Sequence, residues 1–122
     1  MPIPINAFKF TDPMDPKDNI DFLLSLSGVG GILEAGETIA SYTLALRPEA
    51  TALGLTIGTG GYAPSNPTAS QILFWLSVDP TFQANTSYDG AGVILGVEVT
   101  ITTSSTPARV RQRTVAIQVA QQ

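Results

Sequence analysis

The sequence predicts an all-β domain, a sandwich of two sheets, on three observations. Val97, Val99, Ile101 and Thr103 alternate with Glu98, Thr100 and Thr102, and Val115, Ile117 and Val119 alternate with Thr114, Ala116 and Gln118. Joined by the turn-rich Ser104-Ser105-Thr106-Pro107, these runs form a β-hairpin whose strands each bury one face. Ahead of it, five to seven short strands in all are spaced by glycine and proline clusters, which is the rhythm of a sandwich and not of alternating strands and helices. A length of 122 residues suits one core, burying roughly two-thirds of the unfolded surface.

The elements follow in order. Residues 1–19 carry Pro2, Pro4, Pro13 and Pro16, which lack the N–H that a ladder or helix interior needs, so this segment is expected as an extended arm ahead of a sandwich spanning 20–122. Asp15-Pro16 has the form of a helix start. The alternation of Ile20, Phe22, Leu24 and Leu26 with Asp21, Leu23, Ser25 and Ser27 favours a strand instead, stopped by Gly28, Gly30 and Gly31. A second strand runs from Thr38 to Leu46 with Tyr42, Leu44 and Leu46 inward, and Pro48 ends it. Leu53 to Ile57 is a short third strand before a loop rich in Gly58, Gly60, Gly61, Pro64 and Pro67. Gln71 to Val78 is almost wholly apolar around Trp75 and reads as a central strand with that ring in the core. Asp79 to Gly92 is a polar connection.

Composition excludes most chemistry. With no cysteine and no histidine, a disulfide, a thiolate or imidazole metal site and a Ser–His pair are all ruled out. A net charge of -4 opposes binding by phosphate neutralisation, so no nucleic-acid partner is expected. No apolar run approaches the roughly 20 residues of a spanning helix, and the opening Met1 to Ile5 lacks the pattern of a signal peptide, so no membrane partner and synthesis in the cytoplasm are expected. Asp12, Asp15, Asp18 and Asp21 recur every third residue, which is the wrong spacing for a calcium loop and reads as a solvated acidic arm. Glu34 and Glu37 share one turn and do not face each other across a cleft, so they read as turn residues. Gly58-Thr59-Gly60-Gly61 lacks the third spaced glycine of a dinucleotide loop. The expectation is a protein without catalysis, cofactor or metal.

Only 13% of residues are charged, against about 25% in ordinary domains, which suits a surface packed against other protein. Arg109, Arg111 and Arg113 stand two apart, so on a strand they share one face, the face of Val115, Ile117 and Val119. Arginine pairs bidentately with carboxylates and is enriched at interfaces. The stripe, with Asp12 and Asp15 of the arm, is therefore the candidate protein interface. The competing reading gives one arginine an ordinary salt bridge to an arm aspartate and leaves the others as edge-strand charges.

These residues also carry a resemblance. Asp12-Pro13-Met14-Asp15, then Ile20-Asp21-Phe22, Gly36-Glu37-Thr38-Ile39-Ala40-Ser41, Trp75-Leu76-Ser77, and Arg111 and Arg113 leading into Thr114 to Val119 resemble, in order, the fibre-tail adaptor proteins of tailed bacteriophages. The chain differs at Gly28 to Gly31, where a tryptophan is common in that family, and in the insertion-like Asp79 to Gly92. The resemblance implies an immunoglobulin-like β-sandwich of about seven strands located in the virion. It further implies a homo-oligomer whose partners are other virion proteins of tail, fibre or capsid. Capsid decoration, with the arm laid across neighbouring subunits, is the alternative, and a carbohydrate-binding attachment module is a third possibility, with Tyr62 and Tyr88 as its loop aromatics.

Overall fold

Alternating apolar and polar residues build two facing sheets. The computed structural model describes residues 8–10, 13–27 and 33–122. Its strands are β1 (Phe8–Lys9), β2 (Asn19–Ser25), β3 (Ile39–Leu46), β4 (Leu55–Ile57), β5 (Ser65–Thr68), β6 (Gln71–Val78), β7 (Val93–Thr103) and β8 (Val110–Val119), with one short helix, α1 (Pro48–Ala52). One sheet has the order β1-β8-β7-β3, the other β2-β6-β4, with β5 also paired to β6. All pairings are antiparallel except β1 with β8. Second, sixth and fourth strands facing third, seventh and eighth is the distribution of an immunoglobulin-like sandwich, as expected.

The core lies between the sheets. Ile72, Phe74, Leu76 and Val78 of β6 face Leu95, Val97, Val99 and Ile101 of β7 and Val115, Ile117 and Val119 of β8, and all are buried. Tyr42, Leu44 and Leu46 pack against this cluster from β3 and stay half-buried, because β3 is an edge strand. Strand β6 alternates buried and half-buried residues along its whole length, so only one of its faces is fully covered. Trp75 belongs to the other face. The expectation that Trp75 lies in the core is corrected: Phe74 takes that place, and the indole packs outside against Tyr62 with ring centroids 5.0 Å apart.

The segment expected as an extended arm is extended where it is described, and its described residues pair with the sandwich. Phe8 and Lys9 pair in parallel with Val115 and Ala116, and the Met14 amide donates to the Gln118 carbonyl at 2.8 Å. Met14 is completely buried, and Phe10 sits 4.8 Å from Phe22 and 6.2 Å from Phe74, centroid to centroid. This trio closes the seam of the sandwich on the β1–β2 side. Residues 1–7, Asp12 and the Gly28 to Gly31 turn lie outside the described residues.

Two elements were not expected. Pro48 ends β3 and also starts α1, a use of proline at a first helical position, and β5 occupies part of the loop after Gly61. The connection from Asp79 to Gly92 is organised by two single-turn helices. The Asp79 and Asn85 side chains cap them by accepting from the Thr81 and Ser87 amides. Tyr88, expected at a loop surface, is instead fully buried and donates its hydroxyl to the Leu53 carbonyl, and burial raises its pKa.

Candidate protein interface

Register decides where the arginines point. In the β7–β8 ladder Val97 lies opposite Val115, Val99 opposite Arg113, and Ile101 opposite Arg111. Residues directly opposite share a face, so Arg111 and Arg113 lie on the inward-facing side of the sheet, in line with Val115 and Ile117. Burial fades along that line, from buried Val115 through half-buried Arg113 to exposed Arg111. The charged run is therefore where β8 extends past the cover of the opposite sheet.

Arg109 behaves differently from the other two. Its guanidinium donates to Glu34 at 3.0 Å and to Glu37 at 2.7 Å and 3.1 Å, and its backbone amide donates to the Thr103 hydroxyl at 2.9 Å. This clamp ties the β7–β8 hairpin to the turn that precedes β3. The Glu37 carboxyl is held down at about 2, first by the Glu34 amide that donates to it and then by Arg109. Glu34 and then Glu37 raise the Arg109 pKa in return. The reading that paired an arginine with an arm aspartate is corrected in its partner: the acids are Glu34 and Glu37, which the turn before β3 brings to Arg109 once β3 has paired with β7.

The side chains of Arg111 and Arg113 make no hydrogen bond or ion pair with any of the described residues. Beside them Val110 is 66% exposed. On the side of β8 away from β7, β1 covers Val115 and Ala116, and no described strand flanks Val110 to Thr114. Among the described residues that stretch is uncovered and bears two cations without side-chain partners, and on its other face Gln112 donates to Glu98 of β7.

The two aspartates of the candidate set are not brought to this edge. Asp12 lies outside the described residues. Asp15 accepts from the amides of Lys17 and Gln122, both at 2.8 Å, so it sits beside the end of β8 where the chain leaves the sheet. These amide bonds lower its pKa, that from Lys17 most. Among the described residues no group of histidine, cysteine, aspartate or glutamate has the arrangement to hold a metal ion. No helix of the described residues is long and apolar enough to cross a membrane.

Sequence reasoning did not find the outward aromatic pair. Gly58 makes it: a Cβ there would meet the Tyr62 carbonyl oxygen at 2.4 Å and the Tyr62 Cβ at 2.7 Å, so only glycine lets Tyr62 fold down onto Trp75. Tyr62 remains 48% exposed, and Asp21 stands opposite Trp75 on β2. The glycine cluster in 58–61 was the available signal, and it read only as a loop. Compared with known proteins, the chain matches no family model and no curated protein.

Proposed function

We propose that the chain is a non-enzymatic structural protein of a tailed-bacteriophage virion, an adaptor that joins fibre or spike to the tail and works as a homo-oligomer. The observation that carries the assembly reading is the stretch of β8 that no described strand covers, where Arg111 and Arg113 have no side-chain partner among the described residues. Lone long cationic side chains held on a strand edge are costly to order unless something pairs with them, and a carboxylate-bearing protein partner does so bidentately. The placement in a phage tail rests on the ordered resemblance from Asp12 to Val119. Decoration of a capsid by the arm has less support, since Phe10 and Met14 are committed to their own sandwich.

The test is to mix the purified chain with proteins released from disassembled virions, and separately with intact capsids, and to measure mass by light scattering. A complex with tail or fibre proteins is the expected result. Binding to capsids alone would transfer the reading to decoration, and binding to no virion protein would remove it.

One observation favours a second reading. Tyr62 and Trp75 present aromatic surface beside the Asp21 carboxylate, the combination that stacks on a sugar ring and accepts its hydroxyls. A glycan array probed with the wild-type chain and with Trp75→Ala tests it: hits that vanish in the variant support an attachment module, and an array without hits disposes of it.

A further inference from the structure

The sheet of β2, β6 and β4 turns an apolar band outward. Trp75 lies at its centre, opposite Asp21 of β2, and its carbonyl accepts from the Gly58 amide at 2.8 Å, with Tyr62 folded over Gly58 against the indole. Two residues along β6, and therefore on the same face, Leu73 stands opposite Leu23, which is 48% exposed. The rows that bound the band are uncharged: Asn19, Ser77 and Thr56 beyond Trp75, and Ser25, Gln71 and Thr68 beyond Leu73. Asp21 is the one charge among the paired residues of this face.

Size and charge limit what such a face can take. With strands about 4.8 Å apart and alternate residues roughly 7 Å apart, its four rows measure about 10 Å by about 20 Å. That is on the order of 200 Å², far below the roughly 800 Å² that each partner buries in a stable protein interface, and about the size of a short oligosaccharide. The negative face of an aromatic ring receives the weakly positive C–H groups of a pyranose. The Thr56 and Ser77 hydroxyls hold each other at 2.9 Å and exchange with sugar hydroxyls without the desolvation cost of an ion. The Asp21 carboxylate accepts hydroxyls and repels acidic sugars.

We infer that this face binds a neutral oligosaccharide of N-acetylated hexosamine units, with a ring on Trp75 and Tyr62, hydroxyls on Asp21 and the acetamido methyl on Leu23 and Leu73. The spacing selects that substituent. Leu73 stands roughly 7 Å along the strand from Trp75. An acetamido group carries its methyl three bonds out from the ring and reaches toward Leu73, whereas the methyl of a 6-deoxy sugar is one bond out and stays over the indole. The inference rests on the attachment reading above and names its sugar.

Trp75 is the sole tryptophan of the chain, so its fluorescence reports on this face directly. The experiment titrates the chain with the trimers of N-acetylglucosamine, glucose and galacturonic acid. The acetylated trimer is expected to bind about fourfold or more tighter than the glucose trimer, the worth of one buried methyl group, and the acidic trimer most weakly. Leu23→Ser, at an exposed position, is expected to abolish that preference and leave the glucose trimer unaffected, while Tyr62→Ala weakens both neutral trimers, each variant being checked for wild-type circular dichroism. Equal binding of the two neutral trimers, or a preference that survives Leu23→Ser, overturns the inference and keeps the attachment reading if Tyr62→Ala still weakens binding. Tightest binding of the acidic trimer overturns it as well. If no trimer binds, the inference falls, and the glycan array decides the attachment reading separately: hits on other sugars keep it, and an empty array removes both.

Discussion

Glu37 shows how single contacts on this scaffold govern stability. Its carboxyl titrates at about 2 in the folded chain, below the ordinary 4.5, because the Glu34 amide and Arg109 both favour its charged form. A group with a depressed folded pKa contributes stability that is complete above its unfolded value and is lost as pH falls toward the folded one. Thermal unfolding measured from pH 5 to 2 is therefore expected to show a steep acid limb, shallower in Arg109→Met, and equal slopes in the two proteins would contradict the clamp. Phe74 and Trp75 are neighbours in sequence with opposite fates. Phe74→Ala is expected to cost about 3 to 5 kcal/mol in chemical denaturation, since it empties a completely buried site, while Trp75→Ala costs under about 2 kcal/mol. Tyr88→Phe leaves the Leu53 carbonyl without its donor and is expected to cost about 1 to 2 kcal/mol. Glu34 and Glu37 share one turn and were legible as such, whereas the Arg109–Glu37 and Tyr88–Leu53 partners could not be read from the sequence, because they join positions remote along the chain and close only in the fold.

At the scale of elements, two-residue alternation made the sandwich readable. Strands β2, β3, β6, β7 and β8 all lie where apolar alternation or an apolar run placed them, because a strand that buries one face records that face in every second residue. Reading failed where the pattern was short or ambiguous. In β6 an unbroken apolar run hid which parity faced inward, so Trp75 was assigned to the core. In the arm, prolines marked extended backbone but said nothing of the β8 edge it would join. At the candidate interface the shared parity of Arg111 and Arg113 was legible, and their lack of partners was not. Glycine at the entry to β7 has a further role. Gly92 has φ +70, and a Cβ there would lie 2.0 Å from the Val119 carbonyl oxygen. Gly92→Ala is expected to destabilise by at least about 2 kcal/mol, measured as a lowered denaturation midpoint with unchanged slope.

For the whole molecule, the two seams between the sheets are unlike. The β1–β2 seam is filled by Phe10, Phe22 and Phe74, with Phe22 and Phe74 stacked at 5.9 Å, whereas between β3 and β4 a shallow groove stays open, lined by Tyr42, Leu44, Ile57 and Pro64. Any assembly must respect that difference, since no described strand pairs with the outer edge of β3. The parallel pairing of the first strand with the last has a different consequence, one of timing. On the ribosome Phe8 emerges long before its ladder partner Val115 is made. The sheet that seats the first strand cannot close until β8 has been made, so the nascent chain carries Phe10 and Met14 uncovered until then. Long-range pairings of this kind fold slowly and expose apolar surface while they wait. Chains released before Val110 would lack the strand that shelters both ends of the fold, which makes their fate in translation aggregation or proteolysis, not a smaller working domain.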